Sequence, residues 1–179
     1  MKKMVAVLAL LAAPALAFAQ TQSAGNSAEM RKLDFLLGAW EGEGWMDFGP
    51  GQRRAVKVKE SVQGKAEGSV LTLEGLGKAK PPSKDEETVV HNAFGVVWYD
   101  GEARRFRMMA WRVGGAMDAD ITVGEKSLVW GFRDQRAGQI RFTIKLDEAG
   151  RWLEIGEISR DGTSWNKFFE MRLKRADGN

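Results

Sequence analysis

The sequence has no cysteine, one histidine, one tyrosine and four prolines. Without cysteine there is no disulfide, no thiolate nucleophile and no acylated lipoprotein anchor. One histidine cannot supply the two or three imidazoles of a catalytic zinc site, and no His-Cys cluster completes it. Nothing resembles a glycine-rich phosphate loop or a nucleophile elbow, and Ser159 and Ser164 have no histidine partner in a recognisable context. Charge of one sign is also scarce: 27 basic against 24 acidic residues give +3. Lys2 and Lys3 supply two of those charges, leaving 25 against 24. With no basic stripe, nucleic acid is not expected as a partner.

The proline shortage points to a fold. Beyond Pro14, proline occurs only at Pro50, Pro81 and Pro82. The chain after Pro82 is thus free of a residue that cannot donate to a strand ladder. Seven tryptophans and nine phenylalanines provide the area for a core that must hold by burial and backbone pairing alone.

The first segment reads as a signal. Lys2 and Lys3 precede an apolar run, Met4–Ala13, that is too short to span a bilayer; Pro14 breaks it, and Ala17-Phe18-Ala19 offers a cleavage site. The expected organisation is a signal peptide over 1–19, a flexible polar leader over 20–28 and one domain over 29–176. The mature protein would be periplasmic or secreted, with no membrane span.

The stretch Leu33–Met46 (LDFLLGAWEGEGWM) organises the remainder. Met30, Leu33 and Leu37 lie at helical spacing, so Ala28–Leu37 is expected to be a short amphipathic helix, ended by Gly38. The period then changes to two. Trp40, Gly42 and Gly44 share one face of the next strand, with Glu41, Glu43 and Trp45 on the other. Ten strands are expected: Gly38–Met46, Arg54–Gln63, Ser69–Gly77, Thr88–Tyr99, Arg105–Val113, Ala116–Val123, Ser127–Arg133, Gln139–Asp147, Trp152–Arg160 and Ser164–Lys174. In the eighth, Ile140, Phe142, Ile144 and Leu146 oppose Arg141, Thr143 and Lys145, the alternation of an antiparallel sheet with one apolar face. Asp100-Gly101, Gly114-Gly115 and Asp161-Gly162 read as tight turns. With no crossover helix between strands, the expected fold is all-β: a ten-stranded antiparallel up-and-down β-barrel, with the helix plugging one end and Trp40 on its floor. A two-sheet sandwich is the structural alternative. The charged insertion Lys78–Glu87 reads as a solvated loop or a flap at the barrel mouth.

A short helix feeding a Gly-x-Trp strand and a ten-strand meander resembles the calycin group of lipocalins, fatty-acid-binding proteins and nitrobindins. Phe35–Gly44 (FLLGAWEGEG) is similar to bacterial lipocalin-like domains of unknown function, with echoes at Trp98-Tyr99-Asp100, Gly114-Gly115 and Asp161-Gly162-Thr163. The resemblance implies that a basic residue of the last strand covers the first-strand tryptophan: Arg172, or else Lys174, over Trp40, as a closure element without a catalytic role. Nitrobindin-like relatives hold haem through a histidine on the last strand. Ser164–Lys174 has none, so no cofactor is expected, and His91 would be the only imidazole for a haem.

The candidate ligand-binding residues are Glu60, His91, Trp98, Met108, Trp111, Phe142 and Met171. Glu60 interrupts the apolar face of Val56, Val58 and Val62, where a carboxylate could orient a polar head group or have a raised pKa. His91 is either a proton carrier or ligand, or a hydrogen-bonded strand residue. The aromatics and methionines, with Phe106, Trp130 and Phe169, either line a cavity or fill the barrel. Glu74, Glu154 and Glu157 lie in strands, but spacing alone does not pair them for glycosidase chemistry. The expected partner is a small apolar or amphipathic molecule, bound by a monomer or weak dimer. The alternatives are haem chemistry, with His91 as ligand, or a filled-core module docking partners through an outer face such as Trp45 and Trp152.

Overall fold

The computed structural model describes residues 28–49, 51–83 and 85–176, so the expected signal and most of the leader lie outside it. Helical residues 28–30 run into a 3-10 helix, Arg31–Leu36. Ten strands follow: β1 (Gly38–Asp47), β2 (Arg53–Lys65), β3 (Val70–Ala79), β4 (Thr88–Asp100), β5 (Arg105–Arg112), β6 (Gly115–Gly124), β7 (Ser127–Asp134), β8 (Gly138–Leu146), β9 (Trp152–Ser159) and β10 (Asn166–Arg175). No boundary moves by more than two residues from the alternation in the sequence.

Every strand pairs antiparallel with its neighbour in sequence, and β1 pairs with β10 from Trp40↔Arg175 to Met46↔Phe169, closing the barrel. The closure removes both free edges. Gly42 and Gly44 stand at this seam: a Cβ on either would run into a carbonyl oxygen of β10, that of Arg172 or Glu170. Their small size thus permits the close approach of β10.

The helix seals the end where β1 begins. Leu33 and Leu36 are fully buried, packed with Trp40, Val62, Leu128, Trp152 and Leu173. Each such side chain contributes roughly 1.5–3 kcal/mol through burial. The Trp40 indole Nε1 donates to the Leu36 carbonyl at 2.8 Å, and its ring meets Trp152 edge-on at 5.7 Å. Trp152 is therefore core, which removes it from the expected outer docking face.

The cation over Trp40 is Arg175, where Arg172 or Lys174 was expected. Its guanidinium lies 4.3 Å from the ring centroid and donates to the carbonyls of Leu37 and Phe35. Arg172 instead turns outward to Glu170. The reason is register: Trp40 pairs with Arg175, while Arg172 lies opposite Glu43.

Candidate functional site

The half of the barrel remote from the helix contains a cavity of about 320 Å³. Its cause is an imbalance between walls. The inner positions of β3, β4 and β5 carry Gly75, Gly77, Ala93 and Ala110, whereas β7, β8 and β10 contribute Trp130, Phe132, Phe142, Phe168 and Phe169. The aromatics pack among themselves. Trp130 stacks on Phe142 at 4.4 Å, and Phe142 meets Phe169 edge-on at 6.1 Å. Gly156 provides the space for Phe142, since a Cβ there would stand 2.8 Å from its ring. The small-residue wall has nothing to reach across with, and the space stays open.

Four ionisable groups line this cavity: Glu60 on β2, His91 on β4, Arg112 on β5 and Glu154 on β9. Glu60 fits because its partner position is Gly75, where a Cβ would come within 2.7 Å of a Glu60 carboxylate oxygen. Burial holds the Glu60 carboxyl well above the ordinary carboxylate range, and the charge of Glu154 pushes the same way. Glu154 is 7% exposed and accepts from Trp152 Nε1 at 3.2 Å. Burial raises its pKa to about 7, against the pull of the Trp152 and Trp130 indoles. His91 is pushed down by burial and then by the Arg112 charge, which keeps its imidazole neutral at neutral pH. The arrangement is an apolar chamber with two carboxyl groups held above the ordinary carboxylate range, and a guanidinium at the exposed rim.

Of the expected ligand-binding residues, Glu60, His91, Trp111, Phe142 and Met171 line the cavity, and Trp98 and Met108 do not. Val97 holds the inner position of β4 with no exposure, so Trp98 faces outward, beneath the Arg107 guanidinium at 5.8 Å. Met108 points inward but is buried in the packed half, beside Val97 and Ala119 in the ladder. Trp111 only borders the cavity: its ring lies against Phe94 at 5.8 Å and is 41% exposed. A register shift opposite Gly77 and Lys78 brings both Val90 and His91 to the lining. Glu74 is exposed and Glu157 pairs with Arg141, which leaves Glu154 as the inward member of that set. Glu154 could have been placed from its alternation with Trp152 and Gly156, and Arg112 from its alternation with Met108 and Ala110.

The insertion between β3 and β4 lies at the cavity end of the barrel, because β3 runs away from the helix. Lys57 meets Glu87 there at 2.7 Å. Trp45, the other residue of the expected outer face, is half-buried under the Arg53 guanidinium at 3.5 Å.

The donor set does not suit the haem implied by the nitrobindin resemblance. The residues that β10 brings to the cavity are Phe168, Phe169 and Met171, and the lone imidazole comes from β4. The cavity volume is near the lower end of the range for small-ligand pockets. No step is derived through an iron. Among the described residues no group of three or more metal-ligating side chains occurs, and no helix is long and apolar enough to cross a membrane.

A solved structure, that of Rv2717c from M. tuberculosis, superposes on this barrel with a TM-score of 0.59. The fold is shared. The match covers 83% of this chain and 97% of that one at 12% identity, a likeness of architecture alone. No family model matches the chain, and no curated protein matches it in sequence.

Proposed function

We propose that this chain is an exported lipocalin-like binding protein that holds a small apolar or amphipathic molecule inside its barrel. The observation that carries the reading is the chamber of about 320 Å³, walled by aromatic rings, with His91 and Arg112 among its polar lining. Affinity arises from burial of the ligand's apolar body, and the few polar groups orient it. The fold supplies the container and leaves the ligand's identity to the side chains. Export rests on the sequence of residues 1–19, and the protein acts as a monomer or weak dimer.

The test is titration of the full chain with the fluorescent probe 1-naphthol. Saturable binding that disappears in Ala110→Phe, a variant that fills the chamber from its small-residue wall, is the expected result. A folded wild type that gives no saturable signal overturns the reading. N-terminal sequencing of the protein recovered from cells checks the export, with cleavage expected after Ala19.

A further inference from the structure

Glu60 and Glu154 have no role in holding the barrel together that a neutral residue could not fill. Among the described residues, neither forms an ion pair with a lysine or arginine, and Glu60 accepts no hydrogen bond from the protein. A buried Glu154 and a half-buried Glu60 without a cation between them represent an unfavourable arrangement unless something else neutralises them. They line the same chamber, and the charge of one acts on the other. The remaining charged or titratable groups of the lining are His91 and Arg112. Arg112 is exposed at the rim and acts on His91 and Asp134, so it does not serve as the missing cation.

Aromatic rings share the chamber with the carboxyls: Trp130, whose indole also acts on Glu154, is stacked on Phe142, and Phe168 stands edge-on to Phe142 at 5.7 Å. Aromatic faces attract cations, and a shielded site strengthens that attraction. An acid pair facing aromatic walls complements a positively charged nitrogen on an apolar body. A ligand carboxylate would bring negative charge to an enclosure that already holds two carboxyl groups back from ionising. The volume sets the size, for 320 Å³ is the liquid share of about ten waters. That suffices for one ring and a short tail.

We propose that the cavity is a site for small hydrophobic amines, the protonated nitrogen lying between Glu60 and Glu154 and the apolar body against Trp130, Phe142 and Phe168. The inference rests on the binding reading given above and narrows it to one ligand class. Binding is linked to protons. Burial holds Glu154 protonated up to about pH 7, and an ammonium favours its ionised form. Below about pH 7 a proton is therefore released on binding, and affinity rises from pH 5.5 and levels off once Glu154 is ionised in the free protein.

Calorimetric titration of the full chain with 2-phenylethylamine, 2-phenylethanol and phenylacetate tests this. The amine is expected to bind at least tenfold tighter than the alcohol at pH 8.5, with phenylacetate weakest. Repeating the amine titration at pH 6, where Glu154 is still protonated, in two buffers of different ionisation enthalpy should show net proton release. Glu60→Gln and Glu154→Gln should each reduce the preference for the amine while the far-ultraviolet spectrum stays unchanged. If the alcohol binds as tightly as the amine, or no proton is released, the amine assignment falls and the cavity reading stands. If none of the three probes binds while 1-naphthol does, the amine assignment falls alone; if 1-naphthol fails as well, both fall. A preference that persists in both variants places the amine elsewhere and overturns the assignment.

Discussion

Replacing Glu154 by glutamine keeps the shape of a buried side chain and the acceptor for Trp152 Nε1, but removes its titration. In the unfolded chain this carboxyl ionises at its ordinary value of 4.5, whereas in the barrel it stays protonated to about 7. Between those values the native state binds the extra proton, so stability falls as pH rises. The contribution is fully present below pH 4.5 and gone above the folded value. The difference between the two values corresponds to about 3 kcal/mol, at roughly 1.4 kcal/mol per pH unit. Surface carboxylates work in the opposite sense: Asp47, Asp134, Asp147 and Asp161 are all held below the usual range by hydrogen bonds, so their stability is lost as pH falls. The wild-type curve is accordingly a dome, and the informative quantity is its difference from Glu154→Gln. That difference should grow in favour of the variant from pH 4 to pH 8.5, reaching about 3 kcal/mol, or roughly 1–2 M in urea midpoint. Urea unfolding followed by tryptophan fluorescence and circular dichroism measures it. Curves that stay parallel across this range refute the buried-acid argument.

The two candidate closure residues separate cleanly. Arg175→Ala removes the cation over Trp40 and two carbonyl contacts and should cost about 1–2 kcal/mol, whereas Arg172→Ala breaks an exposed ion pair and should cost under about 1 kcal/mol; thermal unfolding decides between them. Gly42→Ala places a methyl against the backbone of β10 and should lower stability by about 1–3 kcal/mol or more, read from chemical denaturation. Haem titration should give no Soret shift that depends on His91, and one lost in His91→Ala would reverse the assessment of the donor set. Trp98→Ala should leave 1-naphthol binding unchanged, because this side chain lies outside the barrel.

The alternation of residues 38–175 determined the ten strands and their turns without help from the rest of the molecule. A period of two needs no distant partner to be legible, and one buried face is all it encodes. Glu60 was legible for the same reason, as the break in a run of valines. Where both faces of a strand are apolar the pattern is silent. Val96, Val97 and Trp98 give no parity, and only the ladder with β3 and β5 turned Trp98 outward. In β5 the pattern misleads, since the bulky Trp111 faces out while Ala110 lines the chamber and Arg112 its rim.

Closure decided what remained. The pairing of Trp40 with Arg175 joins residues at opposite ends of the barrel's sequence, and nothing local to β10 chooses Arg175 over Arg172. The same closure brings Glu60 of β2 and Glu154 of β9 to one chamber, far apart in the chain as they are. The open volume is a tertiary property too. Gly75, Gly77, Ala93 and Ala110 read individually as small residues in strands, and they leave a space only because the aromatics across the barrel stop short of them.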